Sequence, residues 1–194
     1  MGSSQTIGAK EIHAAIERLA AGIGQRHPRT KHLILLGIAN GGVELARRLA
    51  RALAQPSGPT VVAGTIDVSF HRDDFGRHPI PKEFAPTHIP ADVHGATVVL
   101  VDDVLFSGRT VKVALDELFD HGRPAKVELA VLVERGGRLL PVAADYRGIT
   151  LDASHDEKVV VRLDAKDPGL DAIEVRPRPA PAKPAPKGRR PARA

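Results

Sequence analysis

The densest chemistry in the chain lies in Val98-Val-Leu-Val-Asp102-Asp103-Val104-Leu105-Phe106-Ser107-Gly108-Arg109-Thr110. Two adjacent carboxylates follow an apolar run, and small and polar residues then lead into apolar positions 111, 114, 115, 118 and 119. That i, i+3, i+4, i+7, i+8 stripe predicts a helix from about Thr110 to His121 with one face on a sheet. Thr97–Val101 carries no charged side chain, which predicts a central strand. In open parallel sheets ligands bind beyond the carboxyl ends of such strands, where Asp102 and Asp103 fall. Free N–H groups and the positive end of the following helix make the turn an anion cradle. Ser107 and Thr110 add hydroxyl donors, and Gly108 lets the backbone approach an anion closely. Ionised carboxylates only accept hydrogen bonds, so a vicinal diol suits them. Phosphate cradle and paired carboxylates together fit a ribose phosphate. The plainer reading, a strand end with a Ser-Gly turn, leaves the full arrangement unexplained.

A second Gly-rich turn, Gly37-Ile38-Ala39-Asn40-Gly41-Gly42, offers backbone donors at the start of another helix. On its own it also reads as an ordinary strand-to-helix turn. Arg72, Asp73 and Asp74 read either as a lid anchor or substrate contact, or as a solvated strand end. Arg135 stands in Arg135-Gly-Gly-Arg138, either lining a base pocket or forming a basic turn.

The elements that must position these residues alternate in type. Ile12, Ile16, Leu19 and Ile23 have helical spacing, ended by His27-Pro28, and Leu33–Gly37 reads as a buried strand. Val43, Ala46, Leu49 and Leu53 line a second helix, stopped by Pro56-Ser-Gly-Pro59. Ile66, Val68 and Phe70 alternate with Asp67 and Ser69, which predicts a strand covered on one side. His71 to Asp92 is polar, Pro-rich and aperiodic, the mark of a lid. Val127–Val133 reads as a further strand and Val159–Val161 as a short last one. The fold class is α/β, a mostly parallel sheet flanked by helices.

Composition narrows the function. The 194 residues, 42% hydrophobic, suit one domain with a real core. Aromatics are 3% with no Trp, which disfavours a base-stacking platform. The absence of Cys excludes a disulfide scaffold, a thiolate metal site and a cysteine nucleophile. No His pair has metal-motif spacing, so no metal held directly by the protein is expected. No apolar run approaches the roughly 18 residues a bilayer span needs, and the N-terminus has no signal pattern. A cytoplasmic protein without membrane contact is expected. Residues 176–194 hold seven Lys or Arg, six Pro and no acid, leaving 21 basic and 23 acidic residues in 1–175. The expected organisation is therefore a domain over 1–175 and a disordered basic tail over 176–194. That tail is either a polyanion-binding arm or a solubilising extension.

The Asp-Asp segment resembles the phosphoribosyl pyrophosphate (PRPP) motif of type I phosphoribosyltransferases, and most closely that of the PyrR family. Ile66-Asp-Val-Ser-Phe-His-Arg72-Asp73-Asp74, His88-Ile-Pro90, Asp120-His-Gly-Arg-Pro124, Leu129–Val133 with Arg135-Gly136, and Ala144-Asp-Tyr146 follow the same pattern in order. The resemblance covers about residues 5–175. It implies the type I phosphoribosyltransferase fold, with a lid at 75–90 and a small hood. It also implies transfer of phosphoribose from PRPP to uracil with Mg²⁺ carried by PRPP, giving UMP and pyrophosphate. Asp102 and Asp103 would be the catalytic pair, Val104 to Thr110 the PRPP-binding turn, and Ala39, Asn40, Gly41 and Gly42 the pyrophosphate loop. A homo-oligomer, a dimer or higher, and binding of an mRNA leader are implied too. Glu17, Arg18, Ala21 and Arg26 stand where the family's RNA-binding face lies, with Arg18 and Arg26 as its cations. The alternative is a non-catalytic attenuator that senses PRPP or nucleotide and binds RNA.

Three departures stand out. The family carries Lys or Arg, then Thr-Arg, where this chain has Ala39-Asn40-Gly41, so both loop cations are absent. Phe106 replaces a Tyr, and the Asp found there in purine-using relatives is missing, which points away from purines. Leu151–Lys158 replaces a Pro-Thr-Ser-rich segment.

Overall fold

The computed structural model describes residues 5–54, 60–68 and 86–178. The chain begins with a short strand β1 (Thr6–Gly8) and helix α1 (Ala9–Arg26), followed by β2 (His32–Ile38), α2 (Gly41–Leu53) and β3 (Thr60–Ile66). Then come β4 (Thr97–Leu105), α3 (Arg109–Asp120), β5 (Lys126–Arg135), β6 (Tyr146–Leu151), β7 (Glu157–Arg162) and β8 (Ala172–Pro177). Five strands form an all-parallel sheet in the order β3-β2-β4-β5-β6. The other three form a small antiparallel sheet, β1-β8-β7.

Alternation along the buried strands divides the core between two faces. Leu33, Leu35, Val99, Val101, Ala130 and Leu132 face α1 and α2, while Ile34, Leu36, Val98, Leu100, Leu129 and Val131 face the α3 side. The apolar stripe expected on α1 is buried as spaced. On α2 the buried face includes Leu45 as well as Ala46, Leu49 and Leu53, and Val43 is only half-buried. On α3 the stripe stops at Leu118, for Phe119 is 40% exposed and lies under the Arg123 guanidinium.

Two strands differ from expectation. Of the strand placed at 66–70, Ser69 and Phe70 lie outside the described residues; β3 begins at Thr60 and ends at Ile66, pairing in parallel with β2 from His32↔Thr60 to Ile38↔Ile66. Partner length, not the local alternation, sets its bounds. Similarly β4 does not stop at Val101, since β5 continues to pair with it through Leu105↔Glu134. The Asp pair therefore stands inside a strand rather than beyond it. Val159–Val161 does form a strand, within the antiparallel sheet. The boundary expected at 175/176 falls inside β8, which pairs with β7 through Glu157↔Pro177. Among the described residues no helix is long and apolar enough to cross a membrane.

Candidate active site

The sheet order creates the site. From β2 the chain crosses to β3 on one side, and from β4 it crosses to β5 and then β6 on the other. β2 and β4 stay paired only as far as Gly37↔Val101. Beyond that point β2 turns away into α2 while β4 runs on, opening a crevice at the topological switch point. Asp102 and Asp103 are the first β4 residues past the split.

Two helix-entry turns flank this crevice. The Gly37–Gly42 turn crosses close to β4: a Cβ built on Gly42 would stand 2.0 Å from the Val101 carbonyl oxygen, and one on Gly37 2.6 Å from that of Gly42. The Ala39–Asn40 peptide is cis, and Ala39 N–H donates to the Ile66 carbonyl at 2.9 Å. On the other side, Gly108 caps α3 with φ at +86°, a left-handed conformation that glycine adopts without steric cost. The Arg109 N–H donates to Ser107 Oγ at 3.3 Å, while Arg109 and Thr110 are exposed in the first turn. Leu139 and Leu140 N–H groups both donate to the Ser107 carbonyl at 3.1 Å, fixing the turn against the 139–142 segment.

Asp102 is buried and Asp103 half-buried, and Asp102 Oδ1 accepts the Asp103 N–H at 3.0 Å. Desolvation holds the Asp103 carboxyl above the usual carboxylate range, against the pull of neighbouring donors and the Lys158 charge. Among the described residues no group of three or more His, Cys, Asp or Glu is placed to hold a metal ion.

Phe106 is enclosed by residues the sequence did not connect to it. The Arg135 guanidinium lies 4.2 Å and that of Arg178 5.6 Å from its ring centroid, and the His155 ring 5.9 Å away. Gly137 approaches so closely that a Cβ there would stand 2.7 Å from Phe106 Cε2. Arg135 is buried, and its terminal nitrogens donate to the carbonyls of Glu157, Ser154 and Ala153 at 2.8, 2.7 and 3.2 Å. It thus ties the 153–157 loop to β5. Arg72, Asp73 and Asp74, and the lid expected at 75–90 as far as residue 85, lie outside the described residues.

The two α1 cations lie beside β5 and β6, Arg18 against the middle of β6 and Arg26 near the start of the strands. Arg18 donates to the Gly148 carbonyl at 2.9 Å. Arg26 stands 3.5 Å from Glu128 and 3.3 Å from Asp145, and its guanidinium lies over the Tyr146 ring. Arg26, itself half exposed, is therefore part of an ion cluster with Glu128 and Asp145, with its charge already opposed.

A five-stranded parallel sheet with a crevice between β2 and β4 and a helix-entry turn on each side is the architecture of a phosphoribosyltransferase. Residues 6–166 match the phosphoribosyl transferase domain family. The chain is 45% identical over 174 residues to the bifunctional protein PyrR of Roseiflexus sp. (strain RS-1), covering 89% of this chain and 94% of that one. It is 47% identical over 171 residues to the bifunctional protein PyrR of Streptomyces coelicolor, covering 88% of each. The chain belongs to the PyrR family. The fold is shared with a hypoxanthine phosphoribosyltransferase of Trypanosoma cruzi, at TM-score 0.62 and 24% identity over 88% of this chain and 94% of that one. It is also shared with a hypoxanthine-guanine phosphoribosyltransferase of Bacillus anthracis, at TM-score 0.60 and 21% identity over 79% and 84%.

Proposed function

We propose that this chain transfers phosphoribose from PRPP to N1 of uracil, forming UMP and pyrophosphate. The supporting observation is the placement of Asp102 and Asp103 at the switch point, between two helix-entry turns. Cleavage of the anomeric C–O bond builds positive charge on the ribose, so the protein must position, stabilise and exclude water. Asp102 and Asp103 hold the 2- and 3-hydroxyls and sit beside the developing cation. The Val104–Thr110 segment receives the 5-phosphate on the α3 N-terminus, through Ser107, Thr110 and backbone N–H groups. With no cation at Ala39 or Gly41, the 39–42 loop holds pyrophosphate through backbone donors beyond Ala39, whose own N–H is taken by the Ile66 carbonyl. Mg²⁺ would be carried by PRPP oxygens and water, with Asp102 and Asp103 facing it through the ribose hydroxyls rather than holding it directly. When bound, it neutralises charge on the departing pyrophosphate. Phe106 carries no general base for a purine, which favours uracil.

The test follows pyrophosphate release from PRPP and Mg²⁺ with a panel of nucleobases. Uracil is the expected acceptor, and Asp102→Asn with Asp103→Asn is expected to abolish transfer in a folded protein. Wild-type turnover by that double variant would overturn the ribose-site reading, and a faster second base would overturn uracil.

A second reading adds RNA. Arg18 is exposed on α1 and, among the described residues, meets only a neutral carbonyl, and the basic tail supplies further charge. In this reading a homo-oligomeric, cytoplasmic protein regulates pyrimidine genes by binding an mRNA leader. RNA binding without any turnover would favour the sensor over the enzyme.

A further inference from the structure

Phe106, on the turn proposed to bind PRPP, has more positive charge beside it than its surroundings cancel. The Arg135 guanidinium lies 4.2 Å and that of Arg178 5.6 Å from the ring centroid. Arg135 spends its terminal nitrogens on three neutral carbonyls, and its buried Nε has no hydrogen-bond partner among the described residues. Arg178 is exposed and enters no ion pair among the described residues. Burial first, and then the Arg178 charge, lower the Arg135 pKa from its ordinary value, yet both guanidiniums stay protonated. The other ionisable groups nearby belong to the 153–157 loop. The His155 ring is 5.9 Å from that of Phe106, and Glu157 accepts the Ser154 N–H at 2.8 Å while acting on Arg135 through its charge. Arg178 is tied to the same loop, for its N–H donates to the Asp156 carbonyl at 2.6 Å, directly after the Glu157↔Pro177 pairing of β7 with β8. It also stands outside the stretch, about residues 5–175, that the family resemblance covers.

We propose that Arg178 is a specificity-determining residue of the acceptor side, where its charge favours a base that reacts as an anion. The proposal rests on the reading in which uracil is the acceptor and Phe106 borders it. Uracil carries a proton on N1, the atom that bonds to the anomeric carbon, and a phenyl ring cannot take that proton. In the proposed step the proton has already passed to solvent. The N1 electron pair then forms the bond to the anomeric carbon, while the C–O pair leaves with pyrophosphate. A cation near the bound base favours its charged form, so Arg178 raises the fraction of uracil that is ready to react. Arg135, fixed to the 153–157 loop, adds to the same field.

The test compares uracil with 5-fluorouracil, a base of nearly the same shape and greater acidity. For wild type, Arg178→Gln, Arg178→Lys and His155→Gln, kcat is measured across pH with PRPP, Mg²⁺ and base all saturating. Wild-type kcat is expected to rise with pH through a midpoint that lies lower for 5-fluorouracil than for uracil. Arg178→Gln should move the uracil midpoint up by about one unit. At a pH between the two wild-type midpoints, that shift costs about eightfold in kcat with uracil and under about threefold with 5-fluorouracil. Arg178→Lys keeps the charge and should recover most of the loss, and His155→Gln should leave both midpoints in place. An unmoved midpoint in Arg178→Gln, or no recovery in Arg178→Lys, would overturn the proposal. So would a midpoint shared by the two bases and abolished in His155→Gln, which would make His155 the proton acceptor. If Arg178→Gln does not fold, the Arg178→Lys profile and the wild-type difference between the bases still decide. Absence of wild-type turnover on both bases would remove the uracil reading itself, a result separable from the others.

Discussion

Asp171 grips the Arg48 guanidinium with both carboxylate oxygens, Oδ2 accepting from Nη1 at 2.5 Å and Oδ1 from Nη2 at 3.2 Å. The Asp171 side chain is fully buried. Its Oδ1 also accepts the Asp164 N–H at 2.8 Å, and His13 Nε2 lies 3.1 Å from Oδ2. Arg48 further donates to Glu44 at 3.0 Å and to the Asp164 carbonyl at 2.6 Å. One ion pair thereby fastens the β7–β8 connection to α1 and α2. The helix it reaches, α2, begins at the Gly37–Gly42 turn beside the crevice, so this anchor also holds that turn's helix.

Removing one partner of a buried pair strands the other charge. Arg48→Ala is therefore expected to destabilise the fold by about 3–5 kcal/mol, as other broken buried pairs do. Arg48→Lys keeps the charge but loses the planar fork, with an expected cost of about 1–3 kcal/mol. Urea unfolding of the two variants beside wild type gives the comparison. Equal stability of wild type and Arg48→Ala would show that the anchor contributes nothing.

Acid should act through Glu128. Burial of this side chain opposes its charge, yet hydrogen bonds from Lys126, Tyr146 and His27 bring its pKa down to about 2, from an ordinary 4.5. His27 Nε2 and Tyr146 Oη lie 2.6 and 2.7 Å from Oε2, and Lys126 Nζ 2.6 Å from Oε1. Because the folded-state pKa lies below the unfolded value, the unfolded chain binds the proton first as pH falls. The stabilisation is complete above about pH 4.5 and drains away toward pH 2, by up to about 3 kcal/mol. Urea midpoints between pH 6 and pH 2 measure this slope. Glu128→Gln is expected to flatten it and to lower stability at neutral pH. It should leave PRPP affinity near wild type, for Glu128 lies near the start of β5, at the opposite end of the sheet from the crevice.

Gly108 combines a left-handed φ with a tight neighbour, since a Cβ there would stand 3.2 Å from that of Leu140. Gly108→Ala should cost about 1–2 kcal/mol from backbone conformation alone. Relief of that strain would tilt the first turn of α3, on which the 5-phosphate is proposed to sit. The expected kinetic signature is a rise in KM for PRPP larger than the fall in kcat. An unchanged KM would place the phosphate elsewhere.

What the sequence disclosed was local. The α1 stripe, the buried β2 run and the strand–turn–helix around Asp102 each satisfy one element's periodicity and are found in place. What it concealed depends on partners distant in the chain. The end of β4 is set by β5 and the bounds of β3 by β2. Arg26 read as a free cation because Glu128 and Asp145 approach it only in the fold.

The tail can now be bounded by structure. β8 ends at Pro177 and the Arg178 N–H donates to the Asp156 carbonyl at 2.6 Å, so a truncation must keep residues through 178. Residues 179–194 still carry five Lys or Arg and no acid. They include no aromatic side chain to stack on a base, so any RNA binding they provide is electrostatic and indifferent to sequence. Phosphoribosyl transfer by a 1–178 protein should match that of the full chain. Its affinity for a pyrimidine-leader hairpin and for a scrambled hairpin should fall by the same factor. The salt dependence of the full chain should be steeper, by about 0.7 log units per log of salt for each single-strand phosphate the tail neutralises. Binding isotherms for both RNAs at two salt concentrations supply the comparison. Unchanged binding after truncation would make the tail inert toward RNA. A loss confined to the specific hairpin would contradict this account, because a basic segment without stacking groups or fixed geometry has no means of telling the two apart.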